Sequence, residues 1–213
     1  MSLRASGPVG PPLPPDVAAL VRFSARIAAG TEVEVRAACQ AVLDADTPTA
    51  WVEEAVLQAY LFAGFPRALN AAREWRKVSG IAAPAHEDLP APDLWRWRAQ
   101  GEQTCETVYG KFYAKLRENI VHLHPALDEW MIVEGYGKIL SRPGLELRLR
   151  ELCIVAACVA TGQDRQLHSH LHGALNAGAT KDEVAGTLDA MDGIVEAGML
   201  LRARLLFARV QGK

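Results

Sequence analysis

The sequence predicts an all-α protein, a duplicated helical hairpin bundle. Apolar residues recur at helical spacing along most of the 213 residues, and helix caps alternate with glycine and proline stops. No stretch shows the sustained alternation that is typical of a half-buried strand. Half of the residues are hydrophobic and 23% are charged, so the chain can bury one core or two small repeats packed together.

The N-terminal part divides into a leader and a first set of helices. Residues 1–15 hold five of the 12 prolines, and we expect them to be extended, poorly ordered or reaching a neighbour. Residues 16–80 form the first repeat, in which the third helix is predicted to begin at Thr47-Pro48. Its four helices are predicted over residues 17–28, 35–43, 51–63 and 67–78.

The remaining chain divides into a connecting region and a second set of helices. Residues 81–140 are a proline-containing linker followed by helices near 93–118 and 124–138. Residues 141–213 form the C-terminal repeat, which opens with a turn at 141–144. Its helices are predicted over residues 146–161, 163–177, 182–196 and 199–210.

Similar punctuation in the two sets indicates an internal duplication. The interval from Gly30 to Thr47 is 17 residues, and the interval from Gly162 to Thr180 is 18 residues. Each set has the same order of helices, glycines and a threonine cap. Unrelated helical hairpins could produce the same order, but we interpret it as a duplication with a degenerate N-terminal copy.

Composition argues against several classes of function. The net charge of −2 does not favour nucleic-acid binding, and the longest apolar run, Leu152 to Ala160, is too short to cross a bilayer. The N-terminus lacks the apolar core of a secretory signal, so we expect a cytoplasmic protein without a membrane partner. None of the four cysteines forms a C-x-x-C pair, and reduced, buried thiols are the expectation.

The richest polar segment runs from Gln163 to His172. His168 and His172 share a helix face, as in metal sites, but no third ligand is marked by spacing, so no metal is predicted. His170 then faces inward, where a buried imidazole needs a partner, and Glu151 on the preceding helix is a candidate. Such a pair can transfer protons near neutral pH, or it can be a hydrogen bond of the core; the spacing leaves both open.

Several segments resemble the carboxymuconolactone decarboxylase family of the alkylhydroperoxidase-D-like superfamily. These are residues 141–145, 150–152, 170–180 and 183–184, with residues 133–137 in an acidic, aromatic-glycine stretch and residues 62–70 in the first repeat. The resemblance implies an all-helical protein without a cofactor. It also implies a homo-oligomer, a trimer or dimer, with the site near a boundary between subunits or repeats.

The peroxidase branch of that superfamily has the pattern Glu-x11-Cys-x2-Cys-x3-His. Alignment from Glu151 places Gln163 and Gln166 at the two cysteine positions and His170 at the histidine. Thiol peroxidase chemistry needs a thiolate nucleophile and a resolving thiol, and glutamine supplies neither. A peroxidase that uses an unusual thiol, with Cys158 as the candidate, is kept as an alternative.

The decarboxylase branch implies a lyase that acts on a small carboxylated lactone or a related acid. Its site would anchor carboxylates, stabilise an oxyanion and deliver a proton to carbon. His170 is the predicted proton donor, and Glu151 or Glu134 would hold its tautomer. The candidate substrate-binding residues are Arg142, Arg150 and Tyr136.

Two further interpretations stay open at this stage. Each arginine could instead form a surface or capping ion pair, and the whole chain could be a non-catalytic scaffold that binds a small acid. The first repeat does not carry the site, because Ala19 stands at the position of Glu151 and Ala37 or Ala38 at that of His170.

Overall fold

The structure, a computed structural model, describes residues 10–85 and 91–212, and within them all regular structure is helical. This confirms the predicted all-α class. The helices are α1 (Pro15–Ala29), α2 (Glu32–Asp44), α3 (Thr49–Ala63), α4 (Phe65–Ser79), α5 (Leu94–Tyr109), α6 (Tyr113–Leu123), α7 (Pro125–Trp130), α8 (Leu147–Thr161), α9 (Asp164–Asn176), α10 (Lys181–Asp189) and α11 (Ala197–Gln211). A 3-10 turn (Gly110–Phe112) joins α5 to α6, and a π-helical segment (Met131–Leu140) continues α7.

Two quartets of helices, α1–α4 and α8–α11, recur at one constant spacing. The paired helices begin at residues 15 and 147, 32 and 164, 49 and 181, and 65 and 197. Each helix of the first quartet thus begins 132 residues before its counterpart. Two copies of one unit would produce such a spacing, and duplication is our interpretation of it.

The core lies where α1 and α8 pack together between the two quartets. The side chains of α8 are buried without interruption from Leu149 to Val159. A helix that is buried all round belongs in the centre of a protein. Its two charged residues in that stretch, Arg150 and Glu151, are 0% exposed, so each needs a partner inside the protein.

The α5 helix and the π-helical segment approach each other backbone to backbone. A Cβ atom added to Gly137 would lie 1.9 Å from the carbonyl oxygen of Trp97, and one added to Gly101 would lie 2.1 Å from that of Ile132. Only glycine permits this approach, and α5 packs in turn on α9. The connecting region is therefore part of the core.

Three helix boundaries differ from the sequence prediction. The predicted helix near 93–118 is interrupted because Gly110 has φ of +51° and ends α5. The α10 helix ends at Asp189, short of the predicted residue 196, and the chain then turns through Gly193, whose φ is +72°. The α3 helix begins at Thr49, while the Thr47 hydroxyl donates to the carbonyl oxygen of Asp16.

The end of the predicted leader packs on the C-terminal quartet. The Gly10 N–H donates to a carboxylate oxygen of Asp189, 3.1 Å away, and Leu13 lies against Gly186. Helix α1 begins at Pro15, inside the predicted leader, since proline suits the first turn of a helix. Residues 1–9 lie outside the described residues.

Candidate functional site

Helices α8 and α9 place a buried imidazole beside a buried carboxylate. The Nδ1 atom of His170 lies 2.8 Å from Oε2 of Glu151, and the two residues are 5% and 0% exposed. An ionised carboxylate only accepts hydrogen bonds, so it orients the ring with the proton on Nδ1 and leaves Nε2 to exchange a proton. We call this pair the dyad.

A glycine on α9 makes the short approach possible. A Cβ atom at Gly173 would lie 2.6 Å from Oε2 of Glu151 and 2.7 Å from a methyl group of Val108. The other carboxylate oxygen, Oε1, is buried and has no hydrogen-bond partner among the described residues. A buried polar atom without a partner is costly, and a water or a bound molecule would satisfy it.

Two tyrosines lie near the dyad, one on α5 and one on the π-helical segment. The rings of Tyr109 and Tyr136 meet edge to face with centroids 6.1 Å apart. Burial raises the pKa of Tyr109 to about 12, and the charge of Glu151 contributes to the rise. Burial and the Tyr109 side chain hold the pKa of Tyr136 well above its ordinary value. Both hydroxyls therefore stay protonated at neutral pH and can donate hydrogen bonds.

An aromatic ring of the first quartet packs against the imidazole. Phe62, near the end of α3, meets His170 edge to face with ring centroids 5.6 Å apart. The dyad thus lies at the boundary between the quartets.

The second predicted carboxylate lies apart from the imidazole. Glu134 accepts from Lys138 at 3.0 Å and from the Tyr60 hydroxyl at 3.5 Å, and its side chain is 43% exposed. No hydrogen bond among the described residues joins it to His170. Of the two carboxylates that the sequence proposed as the partner of His170, the structure pairs Glu151 with the ring.

Both predicted carboxylate anchors already bind a carboxylate of the protein. Glu54 on α3 accepts two hydrogen bonds from Nε and one from Nη2 of Arg142, and it lies 2.8 Å from Nη2 of Arg150. Arg150 also donates to the side chain of Gln58 and the carbonyl oxygen of Leu145. A substrate would have to compete with Glu54 for either guanidinium, and substrate binding by these arginines stays a prediction.

The cysteines are poor nucleophiles in this fold. All four are buried and free. Burial raises the pKa of Cys39, Cys105 and Cys158 to about 12 and that of Cys153 to about 11. Since the thiolate is the reactive form, these surroundings oppose thiol chemistry near neutral pH.

The i, i+4 histidines lie on the opposite face of α9 from the dyad. The rings of His168 and His172 have centroids 5.0 Å apart. Among the described residues, no group of three or more histidine, cysteine or acidic side chains is arranged to hold a metal ion.

No helix among the residues that the structure describes is long and apolar enough to cross a membrane.

Sequence reasoning missed two residues around the dyad, Phe62 and Tyr109. Tyr109 lies on α5, which the sequence marked only as a connecting helix. The glycines at 101 and 137 were the available signal, because small residues permit close helix contacts. For Phe62, the similarity of residues 62–70 to the family marked the segment but not the contact with the imidazole.

Comparison with known proteins finds a family and two relatives that the chain resembles in sequence. Residues 125–206 match the Carboxymuconolactone decarboxylase family, and both dyad residues lie within that span. The chain is 31% identical over 137 residues to Peroxisomal protein 2 of Schizosaccharomyces pombe, covering 62% of this chain and 63% of that protein. It is 29% identical over 92 residues to 4-carboxymuconolactone decarboxylase of Acinetobacter baylyi, covering 43% of this chain and 69% of that protein.

The matched span and the all-helical fold support the same conclusion. The span includes α8, α9 and the π-helical segment, which surround the dyad. On these grounds residues 125–206 of the chain are similar to the carboxymuconolactone decarboxylase family in sequence.

Proposed function

We propose that the protein is a cofactor-free carboxy-lyase that decarboxylates a small carboxylated lactone or a related acid, with His170 as the proton donor. The observation that carries this proposal is the buried hydrogen bond between His170 and Glu151. The carboxylate holds the ring through Nδ1, so Nε2 is the ring atom that can carry a proton to the substrate. When the ring is protonated, Nε2–H can deliver its proton to a carbanion-like carbon.

The reaction has two bond changes. The bond between the ring carbon and the carboxylate breaks, CO2 leaves, and the electron pair moves into the ring and the lactone carbonyl. The Nε2–H of His170 then forms the new C–H bond, and water restores the proton to Nε2. Tyr136 is a candidate donor to the developing oxyanion, because its raised pKa keeps its hydroxyl protonated.

The decisive experiment compares His170→Gln and Glu151→Gln with the unmodified chain, using 4-carboxymuconolactone as substrate. We expect wild-type turnover to release CO2 and, in D2O, to place one deuterium on the product carbon. Loss of His170, the proposed proton donor, should lower kcat by about 100-fold or more. The matched control is His122→Gln, whose exposed imidazole lies on α6 and forms a hydrogen bond with the Glu118 carbonyl oxygen.

Each outcome has a defined meaning. Wild-type turnover that His170→Gln leaves unchanged would refute the proposed donor. Binding of the substrate by the wild-type chain without turnover would refute the lyase and favour the non-catalytic scaffold. Circular dichroism of each variant separates a lost fold from a lost proton donor.

The thiol peroxidase alternative has no supporting observation at the site. Its clearest test replaces all four cysteines by alanine or serine and measures peroxide turnover. We expect no peroxide turnover in either protein, because burial suppresses the thiolate of each cysteine. Turnover that disappears with the cysteines would favour the alternative.

We also propose that the chain assembles as a symmetric homo-oligomer, a trimer or dimer, through the α6–α7 hairpin. None of the residues of α6 is buried, and Leu123 and Trp130 are 74% and 60% exposed. Exposed apolar faces of this kind mark contacts between proteins. Leu123→Lys should lower the mass measured by light scattering, while Val33→Lys, at an exposed site on α2, should not.

The cytoplasmic location stays a prediction, and a fluorescent fusion would test it. One relative carries the name of a peroxisomal protein. Peroxisomal fluorescence of this chain would therefore refute the prediction.

A further inference from the structure

A groove of about 690 Å³ opens between the end of α5 and the outer face of α9. Its lining includes Tyr109, Lys111, Phe112, His168 and His172, but neither residue of the dyad. The volume lies within the range of roughly 300–1,000 Å³ that is typical of sites for small organic molecules. Nothing in the proposed lyase reaction uses this groove.

The groove is shaped by the turn between α5 and α6. The positive φ of Gly110, +51°, ends α5 and reverses the chain, which brings Lys111 and Phe112 beside α9. A hydrogen bond of 2.8 Å from the Asn176 side chain to the Val108 carbonyl oxygen holds α9 against α5. The two walls are therefore tied together below the opening.

The groove is locally cationic in a chain whose net charge is −2. Its ionisable lining residues are a lysine, two histidines and a tyrosine, and no carboxylate belongs to the lining. Lys111 forms no ion pair with another described residue, and its ammonium group lies 5.2 Å from the centroid of the Phe112 ring. A cation without a counter-ion beside aromatic rings favours an anion that has an apolar, planar body.

We propose that this groove binds a small aromatic carboxylate. Lys111 and His168 hold the carboxylate group, and the rings of Tyr109 and Phe112 pack against its aromatic ring. The site contains neither His170 nor Glu151 and lies on the opposite face of α9, although Tyr109 lines it and also lies near the dyad. It goes beyond the proposed lyase and does not depend on it.

Titration calorimetry with benzoate and benzamide tests the charge requirement. The two probes have nearly the same shape, but only benzoate is an anion at neutral pH. We expect benzoate to bind about tenfold or more tightly than benzamide, because the amide cannot pair with Lys111. Equal affinities would refute a carboxylate site.

Matched lysine variants locate the site. Lys111→Gln should weaken benzoate binding about tenfold. Lys115→Gln removes the same charge from the next turn of the chain, where Lys115 pairs with Glu118, and should change the affinity by less than about twofold. Equal effects of the two substitutions would refute a specific role of the groove.

Two further variants separate the groove from the dyad. His168→Gln should weaken benzoate binding, whereas His170→Gln should leave it unchanged. The reverse order would mean that benzoate binds at the dyad, and the groove proposal would be wrong. Absence of benzoate binding in the wild-type chain, as would follow if a second copy covered the groove, would also refute it.

Discussion

The two quartets share their helix spacing but differ in what their first helix pair contains. Counting 132 residues back from Glu151 and His170 leads to Ala19 and Ala38, both in the core of the first quartet. Where the first two helices of the quartet meet, alanine side chains pack without needing hydrogen-bond partners. The dyad, in contrast, requires the glycine at 173 and the hydrogen bond between its two side chains. The same helix pair can therefore serve as a packing unit in one copy and hold titratable groups in the other.

The second difference between the quartets is that α5 and the π-helical segment lie beside the first helix pair of the second quartet. Helix α5 and the π-helical segment pack on each other, and α5 also packs on α9 beside the dyad. They supply Tyr109 and Tyr136, and they precede only the second quartet. The connecting region therefore adds two tyrosines to the surroundings of the dyad.

The largest expected effect comes from making the second quartet like the first. The double substitution Glu151→Ala with His170→Ala should lower the decarboxylation rate by about 100-fold or more. The single substitution His170→Ala leaves the buried Glu151 carboxylate without a partner and should lower the free energy of unfolding by about 3–5 kcal/mol. The double variant should lose less stability than this single variant. Urea denaturation of both single variants and the double variant measures this coupling. A double variant less stable than His170→Ala would contradict it.

A large loss of stability is also expected where a buried ion pair links the two quartets. Glu54→Gln removes the anion that neutralises the fully buried Arg150 and should destabilise the fold by about 3–5 kcal/mol. Glu32→Gln breaks an exposed pair with Arg36 and should cost less than about 1 kcal/mol. Thermal and urea unfolding compare the two, and equal losses would mean that the buried cluster contributes no more than a surface pair. The counterpart of Glu54 in the second quartet is Gly186, so the second quartet supplies no carboxylate for an equivalent ion pair.

A smaller loss of stability is expected where α5 packs on the π-helical segment. Gly137→Ala places a methyl group against the Trp97 carbonyl oxygen and should cost about 1–3 kcal/mol, with reduced activity because Tyr136 moves. Gly135→Ala, two residues away in the same π-helical segment, meets no atom within 4 Å and should cost little. Unfolding curves and kcat distinguish the two. Similar stability of both variants would contradict the close backbone approach.

The smallest effect concerns alkaline pH. The pKa values of all four tyrosines are raised in the fold, to about 12 for Tyr60 and Tyr109. The unfolded chain loses these protons near pH 10 while the folded chain keeps them, so the free energy of unfolding should fall as pH rises from about 10 to about 12. Near pH 10, tyrosinate absorbance should be much weaker in the folded chain than in the unfolded chain. Equal tyrosinate absorbance of the two at pH 10 would contradict the burial of Tyr109 and Tyr136.

The sequence alone was sufficient for the local and periodic features. Helical spacing and stops predicted the all-α class, and the local Thr-x-x-Glu patterns at Thr31 and Thr180 form capping boxes in the structure. The inward direction of His170 followed from its position two residues from His168 and His172, because the helical period puts such positions on different faces. Glu151 was already a candidate partner, because it lies on the preceding helix and a buried imidazole needs a hydrogen-bond partner.

The tertiary structure decided what periodicity cannot encode, namely which distant groups meet. It paired Glu151 with His170 and left Glu134 with Lys138, because α8 and α9 pack side by side while the π-helical segment turns Glu134 partly towards solvent. It also placed Arg142 and Arg150 on Glu54, almost a hundred residues earlier in the chain. Contacts at such separations depend on how whole helices cross and on which buried charge finds a partner, and local spacing carries neither.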